Sequence, residues 1–197
     1  MRTVPYSVTE EAVRLLRFTH ADFSKIPHPT VRSRRRSPGG GALSSYDFVQ
    51  VRSQSAYLRL VSIVEAYVDT VSSRLFDRRV VGIDRFYGLL AEAAHGRSTT
   101  GWSERKDCFK TYHGFSLTDS SAWQDIDGAI EVRNSIAHGL GRLTRRQTSG
   151  SAKAKIAACG VALRDDELVI SQAALGRCLA ACVQFVQDLD AKLPRPW

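Results

Sequence analysis

Apolar residues recur along most of this chain at intervals of three and four, the period of a helix with one buried face. The longest run spans 48–76. There Ala56, Leu60, Ile63, Val64, Tyr67, Val71 and Leu75 form one stripe, while Ser62, Glu65 and Asp69 fall on the opposite side. No proline interrupts it, so the pattern predicts a long central helix. A shorter amphipathic helix is predicted within residues 1–26. Thr9 is its expected cap, Glu10 and Glu11 suit its first turn, and Val13, Leu16, Phe18 and Phe23 supply its apolar side. Two further helices are predicted over 83–95 and 102–112, split by the glycine-flanked stretch 96–101. Another begins near Ser121, which forms a capping-box pattern with Gln124, and its apolar face runs from Trp123 through Ile126 and Ile130 to Ala137. Gly139 and Gly141 end it.

Residues 142–151 read as a basic, polar loop, and over 155–171 the signature switches to strand. Val161-Ala162-Leu163, a turn at Arg164–Asp166, and Leu168-Val169-Ile170 predict a small hairpin. Ser171 caps a last helix carrying Ala174, Leu175, Leu179, Cys182, Val186 and Leu189, which Pro194 and Pro196 stop. The expected fold class is therefore all-α: an antiparallel helical bundle with one short β-hairpin before the C-terminal helix.

Between the first two helices the composition changes. Pro27-His28-Pro29 is followed by Arg32, Arg34, Arg35 and Arg36 and then by Ser37-Pro38 and three glycines, which predicts an exposed loop. The expected organisation is an N-terminal helix with a basic linker over 1–45, a helical domain over 46–192 and a tail over 193–197. The 197 residues carry a formal net charge of +8, from 28 Lys+Arg against 20 Asp+Glu, and arginine dominates the excess. Guanidinium groups fit phosphate oxygens, so an anionic partner is expected, with nucleic acid first and an acidic protein second. The four cysteines form no C-x-x-C pair, and Cys178 and Cys182 sit on a helix as small apolar side chains. No signal pattern and no long apolar run are present, so a cytoplasmic protein without membrane contact is expected. His20, His28 and His95 lack partners at metal-ligand spacing, and no phosphate-binding or dinucleotide-binding glycine motif occurs, so neither metal nor cofactor is expected. His113 reads as a surface capping histidine, with a second acid/base role as the alternative. Trp102, Trp123 and Trp197 read as packing residues.

The string Arg133-Asn134-Ser135-Ile136-Ala137-His138-Gly139 carries the candidate chemistry. It sets a fixed cation, an amide and a titratable imidazole within one and a half turns, the groups that can hold a phosphodiester and move its protons. At roughly 100° per residue, Arg133 falls inside the apolar arc of Ile126, Ile130 and Ala137. A guanidinium on that face needs a carboxylate, a carbonyl row, a second subunit or a phosphate. Asp125, Glu65 and Asp69 are the carboxylates available to it, and a purely structural ion pair is the alternative to a catalytic role. Arg133 and His138 lie about 140° apart, so two copies facing across a two-fold axis would make a tighter site than one helix alone.

These residues resemble the Arg-x(4–6)-His motif of the HEPN superfamily. Together with Leu60-Val61-Ser62-Ile63-Val64-Glu65-Ala66-Tyr67 and the hairpin-plus-helix ending, the stretch 45–190 is similar to its RiboL-PSP-HEPN branch. The resemblance implies a metal-independent endoribonuclease, active in prokaryotic defence or as a toxin, that leaves 2′,3′-cyclic phosphate and 5′-hydroxyl ends. It implies His138 as general base or acid, Arg133 on the scissile phosphate, Asn134 orienting Arg133, and Glu65 as a supporting residue. It also implies a homodimer with a composite active site, and an antitoxin or other regulatory protein as a possible partner. RNA would be gripped by Arg142, Arg145 and Arg146 and by the Arg32, Arg34, Arg35 and Arg36 arm. Some relatives are modified on a tyrosine two residues after the histidine, where this chain has Leu140. The alternatives are a catalytically silent RNA-binding or assembly module, and a protein that docks an acidic partner in a toxin–antitoxin complex.

Overall fold

The apolar stripe of the central helix is met from three sides. The computed structural model describes residues 7–25, 32–36, 42–80 and 84–194, with side chains for all of these except 32–36, 42–47 and 80. The central helix α2 is Phe48–Val80. It buries Tyr57, Leu60, Val64, Val68 and Val71 against α1 (Val8–Lys25), α5 (Trp123–Gly139) and α7 (Gln172–Ala191). The fold is all-α, as the periodicity predicts, and the hairpin before the last helix is β3 (Ala162–Arg164) with β4 (Glu167–Val169). Asp165 and Asp166 both take the left-handed conformation at its tip, with φ of 51° and 62°, the backbone that a two-residue turn needs to match strand twist. Among the described residues, no helix is long and apolar enough to cross a membrane.

Several boundaries differ from the sequence expectation, each for a local reason. The cap of α1 is Ser7 rather than Thr9: the Ser7 hydroxyl accepts from the Glu10 N–H at 3.1 Å and Glu10 accepts from the Ser7 N–H at 3.0 Å. This box satisfies two backbone donors at once. Thr9 instead donates to Asp190 of α7 at 2.6 Å. Ala12, Leu16 and Phe23 join the main core, so α1 packs with the rest of the bundle, whereas Phe18 is 61% exposed and lies off the apolar side. The Arg32–Arg36 stretch, expected as a loop, forms β1 and pairs antiparallel with β2 (Ala42–Asp47), an arrangement that supplies the backbone bonds a loop would leave to water.

The helix α3 (Arg85–Ser98) runs through Gly96, and α4 (Trp102–Cys108) continues into a π-helical turn at Phe109–His113. Both rest on a small second core of Phe76, Ala94 and Cys108. The motif helix α5 starts at Trp123, and Ser121 makes no box with Gln124. The hydroxyls of Ser120 and Ser121 and the Ser121 N–H all donate to Asp188 of α7, at 2.8, 2.9 and 2.9 Å, so the carboxylate takes the groups that would have capped the helix. The basic stretch before the hairpin is not all loop. It holds a 3-10 turn at Arg145–Gln147 and a helix α6 over Gly150–Ala158, rich in alanine and lysine, which overrides the strand signature there. Contact between α5 and α6 is close at Gly128, where an added Cβ would come within 2.5 Å of the Lys155 carbonyl oxygen.

His113 is buried rather than at the surface. Its Nε2 lies 3.0 Å from the Ser72 hydroxyl, and the rings of Phe76 and Phe109 enclose it at 4.8 and 5.0 Å. Burial pushes its pKa down to about 4, with Arg79 and His95 acting in the same direction. The folded state therefore binds fewer protons than the unfolded one between that value and the ordinary histidine range near 6.5. We expect stability to be fully present above about pH 6.5 and to fall, by on the order of 3 kcal/mol at most, as pH drops toward 4. Denaturant titrations across that window should show the slope, and His113→Gln should flatten it.

Candidate functional site

The candidate residues converge on one cleft of about 960 Å³ between α2, α4, α5 and α6. Arg133, Asn134 and His138 line it from α5, Glu65 from α2, and Arg145 and Arg146 from the 3-10 turn. The remaining rim is made by Thr99, Thr100 and Trp102 on one side and Ser149 and Ser151 on the other.

Arg133 is where helical arithmetic put it, half-buried and facing a neighbouring helix. Its Nη2 lies 3.5 Å from Glu65 Oε2, and its Nη1 donates to Asn134 Oδ1 at 3.2 Å. Its Nε is buried without a partner. Of the three carboxylates open to it, Glu65 is the one used, since Asp69 is held in a fork by Arg105 and Asp125 by Arg177. Glu65 and Asp69 thus face α4 and α5 rather than solvent. The other Glu65 oxygen accepts from the Trp102 indole N–H at 2.9 Å, and the carboxylate side chain is only 13% exposed. Trp102 is not a free stacking platform. Arg105 covers its ring at 5.4 Å, and Trp123 and Phe185 pack on it at 6.1 and 6.4 Å.

His138 sits exposed in the last turn of α5 and, among the described residues, holds no hydrogen bond. Gly139 stays helical, and the chain turns at Leu140, whose φ is 52°, and Gly141 at 86°. The imidazole is therefore fixed at its base and free at its tip. Arg145 and Arg146 are also exposed, and their side chains make no ion pair among the described residues. Arg133 and Arg105 are each matched by a carboxylate, and Glu131, also in the lining, accepts from Gln147, so Arg145 and Arg146 are the lining's arginines without an ion pair among the described residues. Arg142 does not line it. It pairs with Glu167 at 2.8 Å and donates to the Asp165 carbonyl at 2.9 Å, fastening the β3–β4 hairpin. The side chains of Arg32, Arg34, Arg35 and Arg36 lie outside the described residues. His113 is in the second core, away from the cleft lining. Among the described residues, no three His, Cys, Asp or Glu side chains converge as a metal site would require.

The sequence reading missed Gln147. This buried amide accepts from Ser135 Oγ at 2.9 Å and from the Thr144 N–H at 3.2 Å, and donates to the Glu131 carbonyl and carboxylate at 2.7 and 2.8 Å. It clamps the turn bearing Arg145 and Arg146 onto the helix bearing Arg133 and His138. The signal was present in Thr144-x-x-Gln147, a capping-box spacing that forms here. Gln147→Leu keeps the volume but removes the acceptor of the Thr144 N–H and the donor to the Glu131 carboxylate. It should lower stability by about 1–3 kcal/mol in chemical denaturation and loosen the turn in hydrogen exchange at 144–149.

Comparison of the chain with protein-family models, with curated proteins and with solved structures returns no match in any of the three.

Proposed function

We propose that this protein is a metal-independent endoribonuclease of the HEPN type. The observation that carries the reading is the single cleft in which Arg133, Asn134 and His138 meet two unmatched arginines, Arg145 and Arg146. In this reading Arg145 and Arg146 hold a neighbouring phosphate of the RNA backbone, and the guanidinium of Arg133 takes the scissile one. The 30% exposure of its side chain and the long 3.5 Å contact to Glu65 leave Arg133 with donor capacity for an anion. Neutral His138 removes the proton from the ribose 2′-hydroxyl, and the freed oxygen attacks phosphorus. The P–O5′ bond breaks, and the imidazolium returns its proton to the departing 5′-oxygen. The products are a 2′,3′-cyclic phosphate and a 5′-hydroxyl. Arg133 stabilises the charge that builds on the equatorial oxygens, and Asn134 keeps Arg133 aimed. A homodimer, and regulation by an antitoxin or similar protein, belong to the same proposal.

A second reading, a silent RNA-binding module, draws support from the Arg133–Glu65 contact, because a cation already matched by a carboxylate also suits a structural tie. The two readings separate in one experiment. Cleavage of tRNA and total RNA is followed in EDTA, with end-group analysis of the fragments, for wild type and for His138→Ala and Arg133→Ala. The ribonuclease reading expects cleavage in EDTA, cyclic-phosphate ends, and a loss of about 10²–10⁴-fold for His138→Ala with RNA still bound. Unchanged cleavage in both folded variants would sink it. Replacing Arg145 and Arg146 together by alanine should lower the slope of log affinity against log salt by about two.

A further inference from the structure

Glu131 is out of place in a cleft that would hold a polyanion. It shares the lining with Arg133, Arg145 and Arg146, and a carboxylate there repels phosphate. One of its oxygens is used structurally: Oε2 accepts from Gln147 Nε2 at 2.8 Å. That nitrogen is anchored a second time, on the Glu131 carbonyl at 2.7 Å. Oε1 has no hydrogen-bond partner among the described residues and is not closed off from solvent. Lys155 acts on this carboxylate electrostatically, but its ammonium is paired with Asp127 at 2.9 Å. Asn134 stands three residues further along α5 and His138 seven, so all three share one face of the helix and line the cleft. Arg133 donates to Asn134 Oδ1, and because a guanidinium only donates, the amide NH2 is turned away from it. That NH2 holds no hydrogen bond among the described residues. The helix thus offers the cleft an acceptor, then a donor, then an imidazole.

We propose that Glu131 and Asn134 read the Watson–Crick edge of one RNA base, and that this base is adenine or cytosine. The inference rests on the ribonuclease reading for the presence of RNA in the cleft. Adenine and cytosine each carry an exocyclic amino donor beside a ring-nitrogen acceptor, the complement of a carboxylate oxygen beside an amide NH2. Uracil and guanine put a carbonyl oxygen where that amino group stands and an N–H where the ring nitrogen stands. Either base would set acceptor against Oε1 and donor against the Asn134 NH2, leaving polar groups unpaired on both sides. The order along the helix matches the order along a nucleotide: amino group at Glu131, ring nitrogen at Asn134, sugar at His138. At 1.5 Å per residue, Glu131 lies roughly 10 Å from His138 along the axis, about the reach from a ribose 2′-hydroxyl to the far edge of its own base. The base that is read therefore belongs to the sugar that His138 deprotonates, and the chain is cut after A or C.

The test uses short 2′-fluoro oligouridine chains with a single central ribonucleotide bearing A, C, G or U, cleaved by the full chain in EDTA. The same four chains with 2′-fluoro at the central position as well report binding without cleavage. Wild type should cut after A and C about tenfold faster than after G and U, and should bind the uncleavable chains in the same order. Glu131→Gln is the informative variant. Its side-chain carbonyl still accepts from Gln147, so the clamp and the melting temperature should hold, while its NH2 now donates into the cleft. The preference for A and C over G and U should then fall about tenfold or invert. The readout is the ratio between chains, which the general gain in affinity from losing a negative charge does not move. A Glu131 that only anchors Gln147 would leave that ratio unchanged, and an unchanged ratio overturns the proposal, as does a wild type that cuts or binds all four chains alike. If no chain is cut, the ribonuclease reading fails separately and binding decides: A and C held tighter than G and U, with the order lost in Glu131→Gln, sustains the base-reading pair, and equal or absent binding overturns it.

Discussion

The Glu65 carboxylate, midway along α2, accepts the indole N–H of Trp102 from α4 and faces the guanidinium of Arg133 from α5. Taking a carboxylate mostly out of water is costly unless its oxygens are matched, and here each oxygen has its own partner. The cleft is the space these three helices enclose around it. Removing Glu65 would leave a half-buried Arg133 without a counter-charge and free Trp102 from its polar anchor, so both walls depend on one side chain. The contact to Arg133 is the looser of the two, at 3.5 Å against 2.9 Å. Glu65 thus holds α4 firmly while leaving Arg133 to exchange partners.

Much of the bundle was readable before the fold because it rests on periodicity. The α2 stripe, the Ser171 cap of α7 and the Asp165–Asp166 turn all follow from residue spacing and local chemistry. The failures cluster where a distant group intervened. Ser121 reads as a cap but is taken by Asp188, which lies 67 positions away in sequence. Glu65 and Asp69 lie opposite the apolar stripe of α2, the side an isolated amphipathic helix leaves to water, yet α4 and α5 cover that side. The helix α6 reads as loop and strand because most of its apolar residues are alanines, and it is held by burial of Ile156 and Ala152, by the Lys155–Asp127 ion pair and by the close approach at Gly128. For the site, the Arg133-to-His138 string was legible as a unit. The division of the arginines was not: Arg142 is spent on the hairpin, whereas Arg145 and Arg146 are left unmatched.

The same residues serve architecture and candidate chemistry. Gln147 joins the turn of Arg145 and Arg146 to Ser135, between Arg133 and His138 on α5. The turn of Arg145 and Arg146 and the helix of Arg133 and His138 are therefore registered by one buried amide rather than by packing alone. Hydrogen bonds fix direction as well as distance, so the turn keeps a set orientation toward the motif helix.

Gly128 has a mechanical consequence. With the Lys155 carbonyl and the small Cys159 side chain against Gly128, no long side chain lies between α5 and α6 there to roll or repack, so the two helices behave as a single stiff plank. The facing wall is built differently: α3 and α4 rest on a separate, small core of Phe76, Ala94 and Cys108, with only short side chains on the α3 side. The α4 part of that wall is tied to α2 through Trp102 on Glu65 and Arg105 on Asp69, so both long sides of the cleft are held in place.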